Sequence, residues 1–259
     1  MPRVQGLLDL AVSAAHEAGA LLRARFASAP TGLTSKSSAT DVVSDADRAA
    51  EELLVGRLRA ACPDDSIIGE EGAALEGRSG RAWLLDPLDG TVNFLYGIPH
   101  FCVSVACLDE GGAVVGVVHD PMRGETFATT RGAGATRDGV PIRVSAAVEL
   151  ATSLVATGFG YRAEVRAAQA ALLARVLPHV RDVRRGGSAA LDLAWLAAGR
   201  HDGYYEASLR PWDWAAGALL VREAGGRVED LPPIARSTPG VIAAGPSIFD
   251  ALRALVQGG

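Results

Sequence analysis

The run Trp83-Leu84-Leu85-Asp86-Pro87-Leu88-Asp89-Gly90-Thr91-Val92-Asn93-Phe94 carries an apolar strand straight into two acids that flank a proline. Pro87 has no amide hydrogen to give a sheet and cannot extend a central strand. It stiffens the turn instead, so that both carboxylates and the Leu88 carbonyl can converge on one point. Converging hard oxygen ligands select Mg²⁺ over softer metals. Gly90 then permits close backbone approach and Thr91 opens a short predicted helix, whose free amide hydrogens face the same point and suit a phosphate. Taken alone, Asp86 and Asp89 would serve as well to form a turn and cap the next helix.

Two further segments bear on that choice. Ser66-Ile67-Ile68-Gly69-Glu70-Glu71-Gly72 is a second strand ending in paired acids, which packing explains poorly and surface solvation could explain. Pro211-Trp212-Asp213-Trp214 places Asp213 at the head of a helix, where the dipole favours an anion whether or not it has a function.

Working outward, Leu7, Leu10, Ala11, Ala14, Ala18, Leu21 and Leu22 recur at helical spacing, so the N-terminal stretch reads as an amphipathic helix. Asp9, His16 and Glu17 interrupt a signal-peptide reading of the same residues. A loop from Ser35 to Ser44 leads to a second helix, with Ser44, Asp45 and Asp47 supplying its cap and first-turn acids. Predicted strands follow at Ser66–Gly69, Ala82–Leu85, Phe101–Leu108, Val114–His119 and Glu125–Thr130, in one mixed or antiparallel sheet. The glycines of Gly132-Ala133-Gly134 lack the ending of a phosphate-binding P-loop and read as a hairpin connection.

From Leu150 onward the pattern alternates: strand at Ser153–Thr157, helix at Glu164–Leu177, helix at Ser188–Ala198, strand at Tyr204–Glu206. A helix at Trp212–Glu223 then stops at Gly225-Gly226. With no linker between the two stretches, a layered α/β fold follows.

The 259 residues are 49% hydrophobic and 21% charged, enough apolar material for a large core. The formal net charge is -5 and there is no dense Lys/Arg run, so direct nucleic-acid binding is not expected. Nor is a membrane span, for no segment has the ~20 apolar residues one needs. Cys62, Cys102 and Cys107 are too few and too irregular for a disulfide framework or a thiolate zinc site, and read as buried thiols in a reducing, cytoplasmic setting. The five histidines are scattered without zinc spacing, and no serine or cysteine nucleophile motif is present, so direct attack by water is the expected chemistry. Arg184-Arg185 could steer an anionic substrate or simply face solvent.

Gly69-Glu70-Glu71, the run from Trp83 to Phe94, Gly187-Ser188-Ala189, Tyr204-Tyr205-Glu206 leading into Trp212-Asp213, and Glu223-Ala224-Gly225-Gly226 occur in an order that resembles the inositol monophosphatase family of lithium-sensitive, magnesium-dependent phosphatases. The resemblance spans nearly the whole chain. It implies a mixed α/β (α+β) fold, a layered α-β-α-β-α sandwich of the inositol monophosphatase/fructose-bisphosphatase type. The expected organisation is one unit over 1–259, with a metal- and phosphate-binding part at 1–147 and an α/β part at 148–259.

The resemblance also implies two to three Mg²⁺ ions. Glu70, Asp86 and the Leu88 carbonyl would hold one ion, Asp86, Asp89 and Asp213 a second, and a third would lean on Glu70. Paired divalent ions share a phosphate oxygen, acidify a water and stabilise the departing alkoxide. Asp47 would bond the Thr91 hydroxyl to orient that water, and Lys36 matches a basic residue of a mobile loop. Asp89, Gly90, Thr91, Asp213 and the Gly187, Ser188 and Ala189 backbone would line the substrate, with Glu206 accepting from sugar hydroxyls. The implied substrate is an inositol monophosphate, the implied assembly a homodimer. Related enzymes use histidinol phosphate, fructose 1,6-bisphosphate or adenosine bisphosphates, and some members act on transcription complexes, which leaves a regulatory binding role as the reading from another class.

Overall fold

The computed structural model describes residues 4–26, 34–38 and 41–258, with side chains described over 4–26 and 44–258. In chain order the elements are α1 (Val4–Phe26), β1 (Thr34–Ser38), β2 (Asp41–Val43), α2 (Asp45–Ala61), β3 (Ser66–Gly69), β4 (Ala74–Leu75), β5 (Ala82–Asp89), α3 (Thr91–Leu95), β6 (Cys102–Asp109), β7 (Gly112–Asp120), β8 (Glu125–Thr130), β9 (Ala135–Arg137) and β10 (Val140–Pro141). They continue with β11 (Leu154–Thr157), α4 (Ala163–Val176), β12 (Asp182–Arg184), α5 (Ala189–Ala197), β13 (Gly203–Ala207), α6 (Pro211–Glu223), β14 (Arg227–Leu231), β15 (Gly240–Ala244) and α7 (Pro246–Gln257).

Eight strands form the larger sheet in the order β10-β9-β8-β7-β6-β5-β3-β4. It is antiparallel except where β3 and β5 run parallel. Five form the second, in the order β12-β11-β13-β15-β14. There β11 pairs parallel with both β12 and β13, while β15 is antiparallel to β13 and β14.

Three apolar cores, the middle one spanning two interfaces, join five layers. Leu7, Ala14, Leu22, Leu54 and Leu58 of α1 and α2 pack on Trp83, Leu85, Val103 and Val105 of the larger sheet. The opposite face of that sheet, with Leu84, Ala106 and Val118, meets Leu191, Leu193, Ala216 and Leu220 of α5 and α6, which also cover Tyr204 and Ala243 of the second sheet. Beyond it, Tyr205, Ile242 and Ala244 face Leu172 and Val176 of α4 and Phe249 and Leu252 of α7. The result is the layered α-β-α-β-α sandwich. Its sheets are buried on both faces, so strands such as β6 and β7 read as continuous apolar runs rather than alternating ones.

Local chemistry sets several boundaries. Ser44 caps α2 in a capping box: its side chain accepts from the Ala46 amide, and Asp47 Oδ2 accepts from the Ser44 amide at 2.9 Å. Gly225, at φ 88°, closes α6 in the left-handed conformation. The expected Ser35–Ser44 loop instead contains the antiparallel pair β1 and β2, strands too short for a periodicity signal. Also unforeseen are β4, β9, β10, β12, β14, β15 and α7; most are edge pieces of five residues or fewer that exist through their partners. All three cysteines are free and buried. No helix is long and apolar enough to cross a membrane among the described residues.

Candidate active site

The strand β5 runs on through its proline. Asp86 pairs with Ser104 and Asp89 with Cys102, so the bulged strand has two residues between these pairs where β6 has one. Pro87 occupies that bulge, where its missing amide hydrogen costs no ladder bond. The bulge re-aims the strand end: the Asp86 carboxylate accepts from the Leu88 amide at 3.1 Å, and Gly90, at φ 101°, turns the chain into α3. A Cβ on Gly90 would stand 3.0 Å from the His100 carbonyl oxygen, so both the conformation and the space call for glycine.

Three separate elements meet at this end. Carboxylate oxygens of Glu70, just beyond β3, Asp86 on β5 and Asp213 in the first turn of α6 lie within 4.8 Å of one another. Asp86 is 2% exposed, and burial, followed by the charges of Glu70, Asp89 and Asp213, pushes its carboxyl well above the usual range. Asp213 is raised by burial and then by Glu70, against the pull of the Arg210 amide it accepts from at 2.7 Å. Asp89 sits differently. Its Oδ2 accepts from the Ser188 hydroxyl and the Ala190 amide, both at 2.7 Å, which ties β5 to the start of α5; burial still lifts it to about 6.

Thr91 donates from Oγ1 toward Asp47 Oδ1 at 2.9 Å and the Leu88 carbonyl at 3.0 Å, joining α2, β5 and α3. Asp47 is 1% exposed and also accepts from the Ser44 hydroxyl at 2.5 Å. A cavity of about 130 Å³ opens over the acids, lined by Glu70, Asp86, Leu88, Asp89, Gly90 and Thr91. Arg185, Gly187, Ser188, Ala189, Glu206, Ser208 and Asp213 line it as well. Every site residue anticipated from the sequence therefore comes to one place except Lys36, which falls in β1 and whose side chain lies outside the described ones.

The donor set fits Mg²⁺. Carboxylates this close, one of them buried, repel one another, and a hard dication is a partner that lets them coexist ionised.

Several residues that support the site carry no signal in the sequence. Glu51, on α2 and 7% exposed, accepts from the Glu71 amide at 2.8 Å and the Ala73 amide at 2.9 Å, pinning the turn that carries Glu70. A Cβ on Gly69 would lie 2.1 Å from that carboxylate, so Gly69 makes its approach possible. Asn93 donates to the His100 carbonyl at 2.7 Å and the Gly186 carbonyl at 2.9 Å, holding the loop before Gly187. Tyr204 donates to Glu206 Oε2 at 2.8 Å. In the sequence Glu51 looks like any helix-surface acid; only the tertiary fold turns it inward.

The model of the inositol monophosphatase family matches residues 3–256. The chain belongs to that family. Nus factor SuhB of Escherichia coli K12 is 44% identical over 227 residues, which cover 87% of this chain and 85% of that protein. The structure is similar to that of the extragenic suppressor protein suhB from Bartonella henselae, with a TM-score of 0.91 at 38% identity, covering 98% and 99% of the two chains. It is also similar to inositol monophosphatase from Anabaena, with a TM-score of 0.83 at 38% identity over 98% and 96%. In this family member, the acids after β3, at the end of β5 and at the head of α6 are all present in sequence and adjacent in space.

Proposed function

We propose that the chain is a Mg²⁺-dependent phosphatase of phosphorylated polyols, acting on inositol monophosphate to give inositol and phosphate. The observation that carries this reading is the carboxylate group of Glu70, Asp213 and the buried Asp86, set on a cavity that Glu206 also lines. In this reading Glu70, Asp86, the Leu88 carbonyl, Asp89 and Asp213 hold two to three Mg²⁺ ions. When bound, the ions act as Lewis acids toward the phosphate oxygens, acidify the attacking water and neutralise charge on the departing alkoxide.

The chain's own groups do the rest. Thr91 Oγ1 has its proton committed to Asp47 or the Leu88 carbonyl, so its lone pairs are turned outward to accept from the attacking water. Glu70, at the mouth of β3, takes up that water's proton. The amides at Gly90 and Thr91 receive phosphate oxygens, while the backbone of Gly187, Ser188 and Ala189 lies along the ring of the leaving alcohol. Glu206 accepts from its hydroxyls; burial raises its carboxyl to about 7, and the Tyr204 hydroxyl pulls it down. The chain is further proposed to act as a cytoplasmic homodimer without direct nucleic-acid contact.

A phosphate-release panel tests this: inositol 1-phosphate, histidinol phosphate, fructose 1,6-bisphosphate and adenosine 3′,5′-bisphosphate, each with and without Mg²⁺. Mg²⁺-dependent release that is fastest from inositol 1-phosphate is expected; no release from any substrate would sink the enzyme reading. The name Nus factor SuhB, carried by the E. coli relative, motivates a second reading, a Nus-factor role beside catalysis. Asp86→Asn separates the two, since it removes a buried acid of the site and leaves the surface unaltered.

A further inference from the structure

Among the described residues, three other than glycine have positive φ: Asp138, Ser208 and Ala235. Asp138 precedes Gly139 in the tight hairpin between β9 and β10, where that conformation is expected, and Ala235 lies in the connection between β14 and β15. Ser208, at φ 79°, lines the active-site cavity two residues beyond Glu206. Its backbone is fixed by neighbours: the Ser208 amide donates to the Thr238 carbonyl at 3.0 Å and the Leu209 amide to the Pro239 carbonyl at 3.1 Å. Glycine would meet these constraints without strain, whereas an L side chain is crowded there. What serine adds is a hydroxyl, and that hydroxyl has no hydrogen-bond partner among the described residues.

Ser208 and Glu206 are housed in the same way. The parallel pairing of β11 with β13 sets Thr157 opposite Tyr205, and the same register, continued past the strand ends, brings Gly158 beside Glu206 and Gly160 beside Ser208. A Cβ on Gly158 would stand 2.0 Å from the Glu206 carboxylate oxygens, and one on Gly160 would stand 2.8 Å from Ser208 Oγ. Two glycines at alternate positions thus clear space for two polar side chains at alternate positions. The serine hydroxyl is buried against Gly160 at the edge of the cavity that the residue lines, and χ1 is the single torsion that re-aims it.

We infer that Ser208 is a second specificity-determining residue, reading a hydroxyl of the leaving alcohol beside the one taken by Glu206, so that the site selects leaving groups with hydroxyls on more than one carbon. This rests on the phosphatase reading above. The test compares kcat/KM for myo-inositol 1-phosphate with that for 4-nitrophenyl phosphate, whose leaving group has no further hydroxyl. Wild type, Ser208→Ala and Ser208→Gly are measured with Mg²⁺, and Tm is recorded for each. Both variants are expected to lower the ratio of the two kcat/KM values about 2–10-fold, the worth of one hydrogen bond. Ser208→Gly alone is expected to raise Tm as well, by releasing the left-handed strain. A ratio unchanged in either variant, or equal losses on both substrates, overturns the assignment. A wild type that releases phosphate from neither substrate removes the phosphatase reading and this inference with it.

Discussion

Asp86 shows what one residue is asked to do. Its carboxylate is buried against Glu70, Asp89 and Asp213, an arrangement that burial and repulsion both oppose when no cation is present. Its folded-state pKa lies above its unfolded value, so whatever stability it contributes is present at low pH and is lost as pH rises through the folded value. Asp86→Asn is therefore expected to raise the stability of chelated protein by about 1–3 kcal/mol near pH 8 and by less near pH 5. The same variant should lose more than about 100-fold in Mg²⁺-dependent kcat, as removal of a charge-stabilising group does elsewhere. Denaturant melts in EDTA at the two pH values and a phosphate-release assay check both; near-normal rates would refute Asp86 as a shared ligand.

At the scale of elements, the site is a meeting of ends: the turn after β3, the bulge in β5, the start of α3 and the first turn of α6. Each end is anchored by a side chain of another element, and Glu51 is the anchor from α2. Glu51→Ala would remove the carboxylate to which the Glu71 and Ala73 amides donate, at about 1–3 kcal/mol in all. The turn would loosen and Glu70 with it. A lower Tm together with a weaker apparent Mg²⁺ affinity is expected, read by thermal melts and by the Mg²⁺ dependence of phosphate release; loss of stability with unaltered Mg²⁺ dependence would show that the turn holds Glu70 without Glu51. The start of β5 has a comparable anchor, because Asp65, 1% exposed, accepts from Arg81 at 2.8 Å and from the Trp83 indole at 3.0 Å. Asp65→Ala strands a half-buried guanidinium and should cost about 3–5 kcal/mol in a urea melt. Asp65→Asn, which keeps an acceptor for the indole, should cost less.

Over the whole molecule, the layers bury histidines that cannot charge without cost. His100, His119 and His201 are each lowered to about 4, in every case first by burial. The unfolded chain binds protons near pH 6.5 and the folded one does not until about pH 4, so stability is full above 6.5 and declines as pH falls toward 4. One such histidine contributes on the order of 3 kcal/mol over that window. His201→Gln should flatten the acid limb of the stability profile in urea melts from pH 7 to 4; an unaltered slope would place the acid sensitivity elsewhere.

The sequence by itself determined the ends of the strands that carry chemistry. Trp83 to Phe94 and Gly69-Glu70-Glu71 are contiguous, and a proline between two acids at a strand end leaves few structures open. The cap and first-turn acids at Ser44, Asp45 and Asp47 and the glycine stop at Gly225 are legible for the same reason, since caps are local chemistry. The tertiary structure alone decided that β3 runs parallel to β5, which brings Glu70 to Asp86, and that α6 points its first turn at both. It also turned Glu51 inward and set Ser208 beside Gly160. Short edge strands such as β12 and β14 carry too few residues to show a period and depend on a neighbour for every backbone bond. Proximity between residues far apart in the chain is a property of packing and register, and no local pattern encodes it.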